Sequence, residues 1–129
     1  MEYSREKKAF SLIRSAKSFT HAFRGIRVFI ATTNNVWVQF FAAGVAMLLG
    51  FYFCISAMEW IALIFAVTLV IVTEAINTAL EFDIDLTSPE FHPFARDTKD
   101  IAAGAVLLSA IAAVVVGLII FVPKIAGVL

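Results

Sequence analysis

Residues Trp60 to Leu80 read WIALIFAVTLVIVTEAINTAL, and this run decides the fold. It is apolar and about 20 residues long, the length a helix needs to cross roughly 30 Å of hydrocarbon. Open strands cannot lie in lipid, because their backbone groups would be unpaired, so the run is a transmembrane helix. Glu74 sits near its end, followed by Asn77 and Glu81. At about 100° per residue these three polar groups fall within roughly 60° of one helix face. A carboxylate at membrane depth is costly, so it marks a functional site by default.

The rest of the chain extends this picture. It has 129 residues, is 61% hydrophobic and has a mean hydropathy of +0.93. That is too apolar for a soluble domain of this size. Residues 36–56, 60–80 and 101–122 are each long enough to span. An all-α membrane protein is therefore expected: an N-terminal amphipathic surface helix plus three transmembrane helices, in one domain over 1–129. Net charge is zero and nothing suggests a nucleic-acid partner. Cys54 is the only cysteine, which excludes an internal disulfide and a cysteine metal cluster. The first 35 residues lack the apolar stretch and cleavage site of a signal peptide. Arg5, Lys7, Lys8, Arg14, Lys17, Arg24 and Arg27 precede the first span, and Arg96 and Lys99 lie in the second loop, taken as 82–100. The turn at Ala57–Glu59 has no basic residue, and only Lys124 follows the last span. The positive-inside rule places the N-terminus and the second loop in the cytoplasm and the C-terminus outside.

Before the first span, Phe10, Ile13, Ala16, Phe19, Phe23 and Ile26 recur at helical spacing among basic residues. Such a helix lies in the headgroup layer or packs on its own protein. Thr32 to Asn35 then turn the chain into the membrane, so the surface helix and turn occupy 1–35. Small residues four apart favour close helix approach: Ala42, Ala46 and Gly50; Ala62 and Ala66; Ala105, Ser109, Ala113 and Gly117. Three helices hardly enclose a polar site alone, so a symmetric homo-oligomer is expected, with the polar face of the second span shielded by a neighbour. In the second loop Pro89 and Pro93 are expected to end any long helix. Asp97 or Thr98 would cap the third span, with Lys99 and Asp100 in its first turn, where free N–H groups favour an anion.

Glu74, Asn77, Glu81, Asp85, Lys99 and Asp100 thus gather at the cytoplasmic side. Carboxylates and an amide are hard oxygen ligands suited to Mg²⁺, which binds one or two carboxylates together with substrate phosphates. A carboxylate in an apolar wall suits proton abstraction, and a lysine suits phosphate. Together these are the parts of phosphoryl transfer. There is no Gly-rich phosphate loop. An acceptor reaching this depth from the bilayer would be a lipid hydroxyl.

Glu74-Ala-Ile-Asn77-Thr-Ala-Leu-Glu81, Asp85-Leu-Thr-Ser-Pro-Glu90-Phe-His92-Pro and Thr98-Lys99-Asp100-Ile-Ala-Ala-Gly104-Ala-Val-Leu resemble the signature of the bacterial diacylglycerol kinase family. The similarity is greatest to its undecaprenol-phosphorylating, Gram-positive branch. Arg14-Ser-Ala-Lys17-Ser-Phe-Thr-His21-Ala-Phe-Arg24-Gly25-Ile26 also matches. The resemblance implies a homotrimer with composite active sites in the bacterial inner membrane, using ATP and Mg²⁺. It implies Glu74 as general base on the lipid hydroxyl, Asn77 positioning phosphate or metal, and Glu81 holding the ATP-bound metal. Asp85 and Glu90 would lie toward the nucleotide, and Lys99 would contact its phosphates with Asp100 in support. Arg14, Lys17 and His21 fall at positions near substrate or nucleotide.

This chain departs from the family in one segment. Thr33 stands where the family has a metal-sharing glutamate, and the positions of the usual Arg and His or Gln hold Trp37 and Gln39, while Asn35 fits. A neutral hydroxyl is a weaker ligand than a carboxylate, so a weakened but retained activity is expected. The acceptor is undecaprenol, favoured by the loop motif, or diacylglycerol. Two other readings are a proton or cation pathway through Glu74 and a non-catalytic membrane adaptor that has lost its metal site.

Overall fold

A computed structural model describes the backbone of residues 2–128 and the side chains of residues 11–128. The side chains of Arg5, Lys7, Lys8 and Phe10 lie outside the described residues. The described chain is all-helical: α1 (Glu2–Thr32), α2 (Asn35–Tyr52), α3 (Ala57–Thr87) and α4 (Pro93–Val128). It divides into two compact units, Met1–Asn34 and Asn35–Leu129. Three helices, α2, α3 and α4, are long and apolar enough to cross a membrane.

The first unit is α1 and its exit. Ile13, Phe19, Phe23 and Ile26 of the expected apolar stripe are exposed on this helix. The Thr33 amide closes the helix by donating to the Phe29 carbonyl at 3.0 Å.

In the second unit α3 and α4 pack along each other, joined by the short turn 88–92. Two ion pairs fix their antiparallel register: Asp85–Lys99 near that turn and Glu59–Lys124 at the far end. At the Glu59 end, Ile55, Leu63, Ile120 and Phe121 form the buried core, with Ala46, Leu49 and Trp60 packed against it. At Gly50 the α2 backbone lies against the Trp60 indole, since a Cβ there would lie 2.7 Å from the ring. The small-residue rows are packed only in part: Ala46 and Ser109 are covered, while Ala42, Ala62 and Ala105 are exposed. Many large apolar residues, including Phe41, Leu48, Phe65, Leu108 and Ile119, face outward, as lipid-facing surfaces require. Thr73 and Ser109 satisfy their hydroxyls on carbonyls of their own helices, which a span needs where no water reaches.

Besides α4, which runs past 122 to Val128, helix ends depart from expectation in three places. First, α2 stops at Tyr52 rather than near Ser56, in a Schellman turn. Ile55 N–H donates to Gly50 O at 3.1 Å and Cys54 N–H to Phe51 O at 3.3 Å. Cys54 takes the left-handed position, φ 50°, usually held by glycine. Second, α3 starts before Trp60, at Ala57. Ser56 Oγ accepts from the Glu59 amide at 3.2 Å, and the Glu59 carboxylate accepts from the Ser56 amide at 3.1 Å. This capping box joins two free amides reciprocally. Third, most of the expected loop 82–100 is helix. α3 continues to Thr87, because Leu, Glu and Phe after Leu80 sustain a helix in water as well as in lipid. Pro93 opens α4 rather than ending a helix, as its fixed φ and missing N–H suit the first helical position.

Candidate functional site

Glu74 lies on α3 with its side chain turned toward α2. It is 5% exposed, and its Oε2 accepts from Gln39 Nε2 at 2.9 Å. Within one chain this carboxylate is already covered, while Glu81 on the same face stays exposed. Burying a carboxylate without a donor is strongly unfavourable, and the amide of Gln39 meets part of that need. The other end of the same amide, Oε1, is buried with no hydrogen-bond partner. A buried oxygen left so costs about 1–3 kcal/mol.

One turn further on, Asn77 is also buried. Its Nδ2 donates to Glu81 Oε1 at 3.3 Å, and its Oδ1 has no partner. Glu81 itself is exposed. Another turn on, Asp85 Oδ1 accepts from Lys99 Nζ at 2.6 Å across the hairpin. The Asp85 carboxylate holds the Lys99 ammonium above the usual lysine range, with Glu81 contributing a smaller Coulombic share. Lys99 is thus a permanent cation, suited to holding phosphate and unsuited to taking a proton.

Two hollows flank this ladder. Asp85, Glu90, Arg96, Lys99 and Asp100 line an open cavity of about 270 Å³ at the α3–α4 turn. An apolar groove of about 310 Å³ lies between α3 and α4, lined by Ile76, Asn77, Leu80, Ile101 and Ala105 among others. Asn77, with Thr73 and Thr98, supplies the polar lining of that groove and is the partner of Glu81. Along α3 the groove runs beside Thr73 to Leu80 and the acid–lysine cavity follows from Ile84, while the buried Glu74 carboxylate faces Gln39 on α2. From Glu74 to Asp85 the rise is about 16 Å.

The sequence-derived residues of the second unit therefore come together in three steps: Glu74 with Gln39, Asn77 with Glu81, and Asp85, Glu90, Lys99 and Asp100 around one cavity. One detail is corrected. Lys99 and Asp100 are in the second turn of α4, not its first, so their amides are already bonded within the helix. The end of α4 is served by His92, whose Nδ1 accepts from the Phe94 amide at 3.1 Å. Neither Asp97 nor Thr98 caps it. Arg14, Lys17 and His21 are exposed on α1, in the first unit with Thr33.

Sequence reading had not placed Gln39 or Arg96 in a site. Gln39 meets Glu74 across 35 positions of chain, and no local spacing encodes that. Arg96 lines the cavity from one turn before Lys99, and its helical spacing from Lys99 would have marked it. It donates to Asp97 Oδ1 at 3.1 Å and its guanidinium lies 5.8 Å from the Phe91 ring.

A divalent cation is compatible with these residues. Among the described residues no three His, Cys, Asp or Glu side chains cluster to hold a metal by themselves. The Glu81 carboxylate and the unpaired Asn77 Oδ1 are hard oxygens of the sort Mg²⁺ takes when substrate phosphates and water complete its shell.

Three helices fit to cross a bilayer, with Asn77 lining an apolar groove and Asp85 a charged cavity on one helix, define a helical membrane protein suited to ligands that are part apolar and part anionic. The chain belongs to the prokaryotic diacylglycerol kinase family, whose sequence pattern matches residues 20–121. It is 38% identical to the undecaprenol kinase of Bacillus subtilis over 113 residues, 88% of this chain and 92% of the relative. It is 39% identical to a diacylglycerol kinase of Synechocystis over 101 residues, 78% of this chain and 58% of that one. Identity to the diacylglycerol kinase of Escherichia coli K12 is 29% over 109 residues, 79% of this chain and 84% of the relative.

Proposed function

We propose that this protein phosphorylates the hydroxyl of a membrane lipid, using ATP and Mg²⁺. Undecaprenol is the favoured acceptor and diacylglycerol the other. The observation that carries the reading is the buried Glu74 carboxylate, held by Gln39, on the same helix face as Glu81 and Asp85. Family membership supports a lipid kinase, and the extensive similarity to an undecaprenol kinase supports the choice of lipid.

In this reading the lipid hydroxyl gives its proton to Glu74 as its oxygen attacks the γ-phosphorus of ATP. The bond from that phosphorus to the bridging oxygen breaks, ADP leaves, and the lipid phosphate forms. Asn77 orients Glu81 through its Nδ2. Mg²⁺ held at Glu81 with the phosphates would offset the charge of the transferring group. Lys99 binds phosphate oxygens, exchanging some of its contact with Asp85 for them, while Asp85, Glu90 and Asp100 bound the nucleotide cavity. Arg14, Lys17 and His21 of the surface helix serve substrate and nucleotide. The protein would work as a homotrimer in the bacterial inner membrane, N-terminus in the cytoplasm and C-terminus outside. Thr33 in place of a carboxylate weakens metal binding without abolishing turnover.

The test is purified protein with Mg-ATP and either undecaprenol or diacylglycerol in vesicles, beside Glu74→Gln. The expected result is lipid phosphate from the parent and a loss of about 10²- to 10⁴-fold in the variant, the usual share of a positioned base. A variant as fast as the parent removes Glu74 from the chemistry. ATP-independent proton flux in liposomes, with no lipid phosphate, would instead make the chain a proton pathway.

A further inference from the structure

We infer that Gln39 is a positioning residue for the reaction, a role that rests on the reading of Glu74 as the base. Three observations on the molecule carry this. Gln39 Nε2 donates to Glu74 Oε2 at 2.9 Å, from a different helix. The donor end of the amide has to face the carboxylate, since its oxygen would meet another oxygen. That choice leaves Gln39 Oε1 buried and unpaired in apolar surroundings that include Val38, Ala42, Val67 and Val70. An amide kept where half of it goes unsatisfied is poorly explained by packing, because a leucine fills such a space with no orphaned oxygen.

The contact locks the Glu74 carboxylate in rotation and commits Oε2, so the remaining oxygen is the one presented to the lipid hydroxyl. Outer groups that orient a reacting side chain in this way commonly contribute 10- to 100-fold. They act on the chemical step and leave ground-state binding alone.

The experiment compares parent, Gln39→Leu, Gln39→His and Glu74→Gln proteins in phospholipid vesicles with Mg-ATP and undecaprenol. Gln39→Leu should lower kcat about 10- to 100-fold while leaving KM for ATP and lipid within about twofold. Gln39→His, which restores an N–H donor, should recover most of that loss. Added to Glu74→Gln, Gln39→Leu should cost nothing further, because the two act as a unit. Infrared spectroscopy gives a readout independent of turnover. The carboxylate band removed by Glu74→Gln should shift in Gln39→Leu and return toward its parent position in Gln39→His. The proposal is overturned if the Leu and His variants lose kcat equally, if neither loses any, or if the band does not move. Parent protein that phosphorylates no lipid, with the band still shifting, would sink the kinase reading while leaving the Gln39–Glu74 contact standing.

Discussion

Lys99 Nζ lies 2.6 Å from Asp85 Oδ1, tying the second turn of α4 to the last turns of α3. Both side chains keep substantial exposure, 39% and 66%, so the pair adds little to stability. Both residues line the cavity that also holds Glu90 and Asp100, and on the proposed function the ammonium there binds phosphate. Lys99→Met should therefore leave the thermal midpoint nearly unchanged and raise KM for ATP about tenfold or more, a loss typical of a charge-assisted contact. Because the Lys99 pKa is raised by Asp85, any stabilisation is complete below the unfolded lysine value and is lost only as pH climbs through the higher folded one. The Lys99 contribution to ATP binding should accordingly be flat from about pH 6 to 9. A strong pH slope in that range that vanishes in Lys99→Met would contradict this.

The opposite end of the hairpin should respond in stability and not in activity. Glu59, just before the apolar run, accepts from Lys124 at 2.7 Å and closes the capping box with Ser56. Lys124, then the Ser56 backbone, holds the Glu59 carboxyl below its ordinary 4.5. Such a group stabilises fully above the unfolded pKa and loses that contribution as pH falls through the lower folded one. Glu59→Gln should lower the thermal midpoint at pH 7, with a difference from the parent that shrinks below about pH 4. Lipid phosphorylation per folded molecule should stay at the parent level. Lys124→Met alone should do less, since it spares the cap.

How far the sequence reveals this site depends on what each signal measures. Helical angular spacing placed Glu74, Asn77 and Glu81 on one face, and the hydrogen bond from Asn77 to Glu81 follows from it. Hydropathy locates a bilayer-length window, not a helix end, so it missed the extension of α3 to Thr87. Ser56-x-x-Glu59 was a readable start signal. Pro93 was ambiguous, because proline stops one helix and opens another by the same constraint on φ. The pairing of Gln39 with Glu74 depends on how α2 meets α3, and periodicity within either helix contains no such information.

Thr33 offers a gain-of-function test. It replaces a carboxylate expected by family resemblance, and a neutral hydroxyl holds Mg²⁺ less well. Thr33→Glu should lower the Mg²⁺ concentration for half-maximal lipid phosphorylation, with KM for the lipid unchanged. An Mg²⁺ titration of both proteins decides it, and superimposable curves would remove position 33 from metal binding.

The α2–α3 turn makes a paired prediction of opposite signs. Cys54 is held at φ 50°, where a side chain costs about 1–2 kcal/mol relative to glycine. Its Sγ has one weak contact, 3.6 Å from Phe51 O. Cys54→Gly should raise the thermal midpoint, because glycine takes the left-handed position without strain. Four residues earlier the reverse holds. A methyl at Gly50 would approach the Trp60 ring to 2.7 Å and Ile55 Cδ1 to 3.2 Å, so Gly50→Ala has to displace a large indole whose ring centroid lies 4.9 Å from that of Phe51, at a 52° tilt. Overpacking of that kind costs about 1–3 kcal/mol. Thermal denaturation in detergent should order the proteins Cys54→Gly, parent, Gly50→Ala. Gly50→Ala matching the parent would mean that Trp60 moves aside without loss, and that the close approach of α2 to α3 there is not constrained by the glycine.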